Sequence, residues 1–408
     1  MASPAARCAP PRRAPGLRLF VLGSGGVLFA ADRQEIHALD APGTLLWLGL
    51  ESGAGPAELA RLLAERSGCG ARLALRRVEG ALRAWTRRGW IRTGGAGEGR
   101  TDPPRPLRRP AAGRSPRPHS APRTARGRVY RAHLLSTRFD LVVEGAAARA
   151  RLLPALRHLE RSRRGAGDVL VEVRRTGSRH AVVVDGVAVG SQIATDAIAP
   201  VVKLQLRLIA MDRHAYFMQI HAGAVLGSTG CWLLPGAPGR GKTTLTAALV
   251  RGGLAYLSDE VALLEPRTLG VRPVPLAFTV KPGAVESLVP LYPGLSKLAV
   301  HQREDGRRVR YLPPPAGSIA PDRPGGHPVA GLLFPRFEPG SAISLDPLDP
   351  LEALRRLLES CLSLPEALTT ARVERLVRWM RGLAAFEVRM GPLEEAVSAL
   401  GALLGARR

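Results

Sequence analysis

Lysine is nearly absent from this chain of 408 residues. Only four of its 59 basic residues are lysine, so arginine supplies almost all of the formal net charge of +25. Together with 45 Gly and 35 Pro, this arginine content is typical of a biased overall composition and not of a dedicated basic patch. We therefore do not expect nucleic acid to be the main partner.

Cysteine is equally scarce, and the chain has no long apolar run. The four cysteines are far apart, with no CxxC spacing, which predicts ordinary thiols in a reducing compartment and no metal cluster. No apolar run approaches the roughly 18 residues that a membrane span needs, and residues 1–15 lack the apolar core of a signal peptide. These absences predict a cytoplasmic protein without a membrane partner.

One stretch has a well-defined chemistry. Residues 236–243 match the pattern G-x-x-x-x-G-K-[ST] at every fixed position, between a short apolar run that predicts a buried strand and a Leu- and Ala-rich run that predicts a helix. In such a loop, glycines let backbone N–H groups surround phosphate oxygens, the lysine reaches the β- and γ-phosphates, and the hydroxyl of Thr243 ligates Mg²⁺. The sequence predicts binding of ATP and Mg²⁺ by Gly236, Ala237, Pro238, Gly239, Arg240, Gly241, Lys242, Thr243 and Thr244.

An acidic pair follows the next predicted strand. Asp259 and Glu260 come directly after the apolar run 255–257, and carboxylates at such a strand end suit either a metal ligand or a general base. His221 precedes the loop and is predicted to reach the same crevice, with a buried structural histidine as the alternative. Lys281 is a candidate second phosphate contact, with a surface role as the alternative. Two interpretations remain for Arg307, Arg308 and Arg310, which could form an anion-binding patch or a solvated face.

Composition divides the chain into four parts. Residues 1–15 are predicted to be a disordered tail, and residues 94–127, rich in Pro and Arg, a disordered linker. Residues 16–93 predict a small winged-helix-like α+β domain of β ribbons and three short helices. Residues 128–408 predict an α/β domain, a P-loop nucleotide-binding core with a mixed sheet.

The first predicted domain resembles the PqqD family of peptide chaperones. The resemblance covers residues 15–95 and rests on an early hairpin, the stretch LDAPGTLLWLGL, the helix GPAELARLLAERSG and the ending RAWTRRGWIR. It implies capture of the leader segment of a ribosomally made peptide and its presentation to a partner enzyme. A DNA-binding winged helix is the open alternative.

The second predicted domain resembles the HPr serine kinase family, most specifically over residues 221–262. That family has a histidine-containing strand, a phosphate loop and an acidic pair in this order, as in HAGAVLGSTGCWLLPGAPGRGKTTLTAALVRGGLAYLSDEVALL. The resemblance implies that Asp259 accepts the proton of the substrate hydroxyl, with Lys242 and His221 near the phosphates. Glu260 takes the place of a second Asp of the family and is implied, with Thr243, as a metal ligand.

Together these features predict an ATP-dependent serine/threonine kinase. Its expected substrate is a hydroxyl of a peptide or small protein, such as a ribosomally synthesised precursor, recruited by the first domain. Formation of a homo-oligomer is left open. The alternative is an ATP-gated binding or regulatory protein that transfers no phosphate.

Overall fold

The computed structural model describes residues 11–92, 128–160 and 166–406. The predicted linker 94–127 and most of the predicted tail lie outside the described residues. Within them the chain is a mixed α/β protein, as predicted at this level. None of the helices in these ranges has both the length and the apolar character needed to cross a bilayer.

The elements run as follows in chain order. The first part contains β1 Arg12–Arg13, β2 Leu17–Leu22, β3 Gly25–Ala30, β4 Glu35–Leu39, α1 Ala41–Glu51, α2 Pro56–Ser67, α3 Ala71–Arg87, β5 Ile91–Arg92, β6 Val129–Leu134, β7 Thr137–Val143, α4 Ala146–Leu156, β8 Val169–Thr176, β9 Arg179–Val184, β10 Val187–Ile193 and α5 Ile198–Asp212. The second part contains β11 Met218–Ile220, β12 Ala222–Gly227, β13 Gly230–Pro235, α6 Lys242–Arg251, β14 Ala255–Ser258, β15 Ala262–Leu264, β16 Val271–Arg272, β17 Phe278–Val280, α7 Pro282–Leu288, β18 Val300–Gln302, β19 Arg308–Leu312, β20 Val329–Phe337, β21 Ser344–Pro347, α8 Pro350–Glu359, β22 Cys361–Ser363, α9 Thr370–Arg381, β23 Ala384–Met390 and α10 Leu393–Leu404.

The described residues divide into two compact units. Unit 1 contains residues 11–92 together with Asp349–Arg355 and Glu366–Gly382, and unit 2 contains the remainder from residue 128 onward. The sequence analysis assigned these two later segments to a continuous domain over 128–408. Glu366–Gly382 groups with unit 1 because α9 packs on β2 and β3, and in the other segment Asp349 accepts a hydrogen bond from Ser24 N at 2.8 Å.

Unit 1 is built from helices and a three-stranded sheet of order β2-β3-β4. The predicted hairpin and the three predicted helices are present. The side chain of Asp40 accepts a hydrogen bond from Gly43 N at 2.8 Å and so caps α1. Behind the sheet, the rings of Trp47, Trp85 and Trp90 are buried together in one core cluster.

Unit 1 also uses backbone that the sequence did not mark as structured. Arg12 and Arg13 form β1 and pair with β5, and Ala14 N donates to Trp90 O at 2.7 Å, so this part of the predicted tail is a strand. Backbone pairing needs no apolar side chain, which explains why an Arg- and Pro-rich stretch gave no signal. The side chain of Gln34 exchanges two hydrogen bonds with the backbone of Leu368, at 2.7 and 3.0 Å.

Unit 2 contains a six-stranded mixed sheet of order β14-β12-β13-β20-β23-β21. β12 is antiparallel to both β13 and β14, whereas β13, β20 and β23 are parallel to one another. The carboxyl ends of β14, β13, β20 and β23 and the amino end of β12 therefore meet at one edge of the sheet. Helices α6 and α10 cover this sheet over a shared apolar core.

The rest of unit 2 precedes and flanks this sheet. The strands β9 and β10 turn at Asp185-Gly186, with both residues at positive φ. Helix α5 begins at Ile198, because residues up to Ile193 pair with β9. Helix α4 ends at Leu156 and continues as a short 3₁₀ turn over Arg157–Leu159.

Candidate active site

The loop between β13 and α6 curls around its own helix start. Gly236, Gly239 and Gly241 have φ values of 148°, 91° and 87°, a region that residues with a β-carbon rarely adopt. Gly241 is the residue before the first turn of α6, whose leading N–H groups lack partners within the helix. This geometry makes a concave backbone surface with partial positive charge.

Lys242 lies inside this curl. Its side chain is buried, and its Nζ donates to Gly236 O at 2.6 Å and to Ala237 O at 2.9 Å. Burial lowers the pKa of Lys242 to about 8, against the opposing influence of Asp259. The ammonium is thus mostly charged at neutral pH and is held by neutral carbonyl groups alone.

Asp259 follows β14 and is 3% exposed. Its Oδ2 accepts a hydrogen bond from Thr279 N at 3.2 Å. Its Oδ1 is buried without a hydrogen-bond partner, which is costly for a carboxylate. Burial, reinforced by the charge of Glu260, raises the pKa of Asp259 to about 6.

Glu260 has a different environment from its neighbour. Its Oε1 accepts from Thr279 Oγ1 at 2.5 Å and from Lys203 Nζ at 3.3 Å, and its Oε2 accepts from Arg207 at 3.1 Å. Burial by itself would raise the pKa of this carboxyl, but the charges of Lys203 and Arg207 outweigh burial and lower the pKa to about 2. Both carboxylate oxygens of the predicted metal ligand are therefore occupied by protein groups.

The sequence analysis did not single out Lys203, Arg207 or Thr279. Lys203 and Arg207 lie one turn apart on α5 and reach Glu260 across more than fifty residues of sequence, so no local spacing reveals the ion pair. Lys203 is 4% exposed, and its Nζ also lies 4.7 Å from the centre of the Tyr311 ring. One signal was available, because Lys203 is one of only four lysines.

His221 connects β11 to β12 beside the acidic pair. Its Nδ1 lies 2.9 Å from Glu260 O, and since a carbonyl only accepts, the ring proton is on Nδ1. Burial, together with the charge of Lys242, lowers the pKa of His221, so the ring is neutral near pH 7. Its Nε2 then carries a lone pair that can accept a proton or a hydrogen bond.

A cavity of about 940 Å³ in unit 2 brings most of these groups together. Lys281 and Arg307 also line it, whereas Arg308 and Arg310 do not, and Arg310 instead donates to Leu298 O. The predicted site residues that line the cavity are His221, Pro238, Gly239, Gly241, Lys242, Thr243, Thr244, Asp259 and Glu260. Those that do not are Gly236, Ala237 and Arg240.

The donor set suits a divalent cation only in part. Across the described ranges, no group of three or more His, Cys, Asp or Glu side chains is arranged to hold a metal ion. The hydroxyl of Thr243, which lines the same cavity as Asp259, does fit Mg²⁺, which takes few protein ligands and completes its shell with phosphate oxygens and water. Glu260 fits less well, since its oxygens are held by cations.

Comparison with known proteins gives little. No family model matches the chain, and no curated protein does. One similar solved structure, described as "TbiB1 in Complex with the TbiA(beta) Leader Peptide", covers 21% of this chain and 99% of its own, with 21% sequence identity and a TM-score of 0.20. A likeness at this level supports no argument about fold or function.

Proposed function

We propose that unit 2 is an ATP-dependent phosphotransferase that acts on a hydroxyl group. One observation carries the proposal: a single cavity is lined both by the glycine loop with Lys242 and Thr243 and by the buried carboxylate of Asp259. Phosphoryl transfer requires positioning of the phosphates, neutralisation of their charge, and a base or orienting group for the acceptor. The cavity offers a candidate for each.

The chain's own residues divide these tasks in the proposal. Backbone N–H groups of the loop and the ammonium of Lys242 bind the phosphates, and Thr243 would ligate Mg²⁺. The ion supplies further neutralisation of phosphate charge when it is bound. Asp259 accepts the proton of the acceptor hydroxyl, since a pKa of about 6 leaves it ionised near pH 7 and more basic than an ordinary Asp.

Glu260 stays a predicted metal ligand from the family resemblance. Its contacts favour a different task, in which it holds Lys203 and Arg207 at the cavity wall. This carboxylate is already bound by two cations and a hydroxyl, so its oxygens are poorly available to Mg²⁺, which requires ligand oxygens at fixed octahedral positions.

The proposed acceptor belongs to a peptide or small protein that unit 1 recruits. This step is supported by the sequence resemblance and by one feature of unit 1: no described strand of that unit pairs with the outer edge of β4. An open edge offers N–H and C=O groups to which an extended peptide can add as a further strand. Binding of this kind would tether the peptide and raise its effective concentration.

The test is a phosphorylation assay of the full chain with ATP, Mg²⁺ and candidate precursor peptides. We expect one Ser or Thr to gain phosphate with the wild type, no transfer with Asp259→Ala, and nearly unchanged ATP affinity in that variant. Full activity of Asp259→Ala would refute the assigned base. Loss of a peptide's leader segment should raise KM far more than it lowers kcat if unit 1 recruits it.

A second candidate function is an ATP-gated binding protein without phosphotransfer. It is favoured by Glu260, because the carboxylate of this predicted metal ligand is already bound by protein cations. The same assay separates the two. ATP binding together with ATP-dependent peptide affinity, but with no phosphate on any peptide tested, would favour the gated binding protein.

A further inference from the structure

Phe337 is exposed to an extent that its chemistry does not explain. It ends β20 with 52% of its surface exposed, and it is the single aromatic residue among the large apolar side chains exposed in the described part of the chain. Phenylalanine is usually buried, so an exposed ring on the wall of a cavity indicates a surface for contact with a ligand or a partner.

Its neighbours connect this ring with the glycine loop. Phe337 pairs with Met390 in the parallel register of β20 and β23. A β-carbon added at Gly241 would lie 2.9 Å from Met390 Cε and 3.7 Å from Phe337 Cβ, so both side chains border the loop. Pro392 and Leu393 continue the same apolar wall of the cavity. We call Phe337, Met390, Pro392 and Leu393 the apolar platform.

The strand order separates this platform from the charged groups. Across the sheet edge, Asp259 follows β14, His221 precedes β12, the loop follows β13, and the platform follows β20 and β23. The loop thus lies between the end with Asp259 and His221 and the end with the apolar platform. With strands about 4.8 Å apart, the four intervals from β14 to β23 cover about 19 Å.

We propose that the apolar platform binds the base of the nucleotide, with the ring of Phe337 stacked on the base face. The inference rests on the proposed nucleotide site. A nucleoside triphosphate has the same order of groups, with an anionic terminal phosphate, a phosphate chain and then a flat, weakly hydrated base. Stacking on an aromatic ring suits any purine because each has an accessible π face.

The experiment compares ATP with inorganic tripolyphosphate, which carries the phosphate chain but no base. Calorimetric titration of the full chain in Mg²⁺ gives both affinities for the wild type and for Phe337→Ala, Phe337→Tyr and Val187→Ala. Val187 is a matched control, since it is 66% exposed and lies outside the cavity. We expect Phe337→Ala to weaken ATP about tenfold or more and to leave tripolyphosphate unchanged, with Phe337→Tyr near the wild type.

Two results would overturn the platform while leaving the phosphate site intact. Equal weakening of ATP and tripolyphosphate would mean that Phe337 acts only by supporting the loop, and no weakening of either would mean that the base lies elsewhere. If the wild type bound neither ligand, the proposed function would fail and the platform with it. Equal urea midpoints for the four proteins exclude unfolding as the cause of any change.

Discussion

Substitution of Glu260 by glutamine tests whether this carboxylate organises the buried cations. The pKa of Glu260 is lowered from an ordinary 4.5 to about 2, which corresponds to about 3 kcal/mol of stabilisation by the ionised form. Because 21% of the side chain is exposed, water screens part of this, and we expect Glu260→Gln to cost about 2 kcal/mol near neutral pH. The loss arises because the buried Lys203 is left without its counter-ion.

The pH dependence gives the sharper signature. Since the folded state has the lower pKa, the contribution of Glu260 is complete above about pH 5 and is lost as the pH falls towards 2. At about pH 3.5 the free energy of unfolding of the wild type should be about 1 kcal/mol lower than at neutral pH because of Glu260. Glu260→Gln lacks this contribution at every pH and should show no such loss from this position. The gap between the two proteins should therefore narrow in acid.

The assay is urea unfolding of the full chain, once near neutral pH and once at about pH 3.5, monitored by circular dichroism. Hydrogen exchange of amides in 255–264 assigns the transition to unit 2. The control is Glu338→Gln, which removes a partly exposed partner of Arg336 and should leave the midpoint nearly unchanged. A Glu260→Gln midpoint equal to that of the wild type at neutral pH, or a gap that stays constant in acid, would refute the reasoning.

Three further predictions concern other groups. ATP affinity should fall about tenfold between about pH 7 and about pH 9 in calorimetric titrations, because Lys242, with a pKa of about 8, loses its charge; residual binding by Lys242→Arg should not depend on pH. If Asp259 accepts the substrate proton, kcat/KM should decline below about pH 6, and a profile that stays flat to pH 5 would contradict that role. Asparagine tolerates the positive φ of Gln34, but its side chain is too short to reach Leu368. In Gln34→Asn, hydrogen exchange of the amides in 366–382 should therefore be faster than in the wild type. The control Glu58→Gln on α2 should leave this exchange unchanged.

The sequence predicted the centre of the site because its signals are local. The glycine loop needs its residues at fixed spacing, and Asp259 directly follows an apolar run that predicts a buried strand. Those two stretches lie on strands separated by β12 alone, and the cavity that joins them was predictable in outline.

The remainder depends on contacts between distant parts of the chain. Lys203 reaches Glu260 from α5, and Phe337 meets Met390 through a parallel pair whose strands are more than forty residues apart. Neither contact leaves a periodic pattern, because each depends on where whole elements pack and not on their own sequence. The assignment of α9 to unit 1 was missed for the same reason, since an amphipathic helix does not encode which surface it covers.

Unit 1 combines segments that are far apart in the sequence, and this has a consequence for synthesis of the chain. Its first strands and helices leave the ribosome before α9 does, yet α9 packs on β2 and β3, and Leu368 exchanges two hydrogen bonds with the Gln34 side chain. These contacts cannot form until the segment Glu366–Gly382 has been translated. The surface of β2 and β3 that α9 covers therefore stays exposed while most of unit 2 is being synthesised. Any early partner of these strands would meet a surface that the finished protein hides.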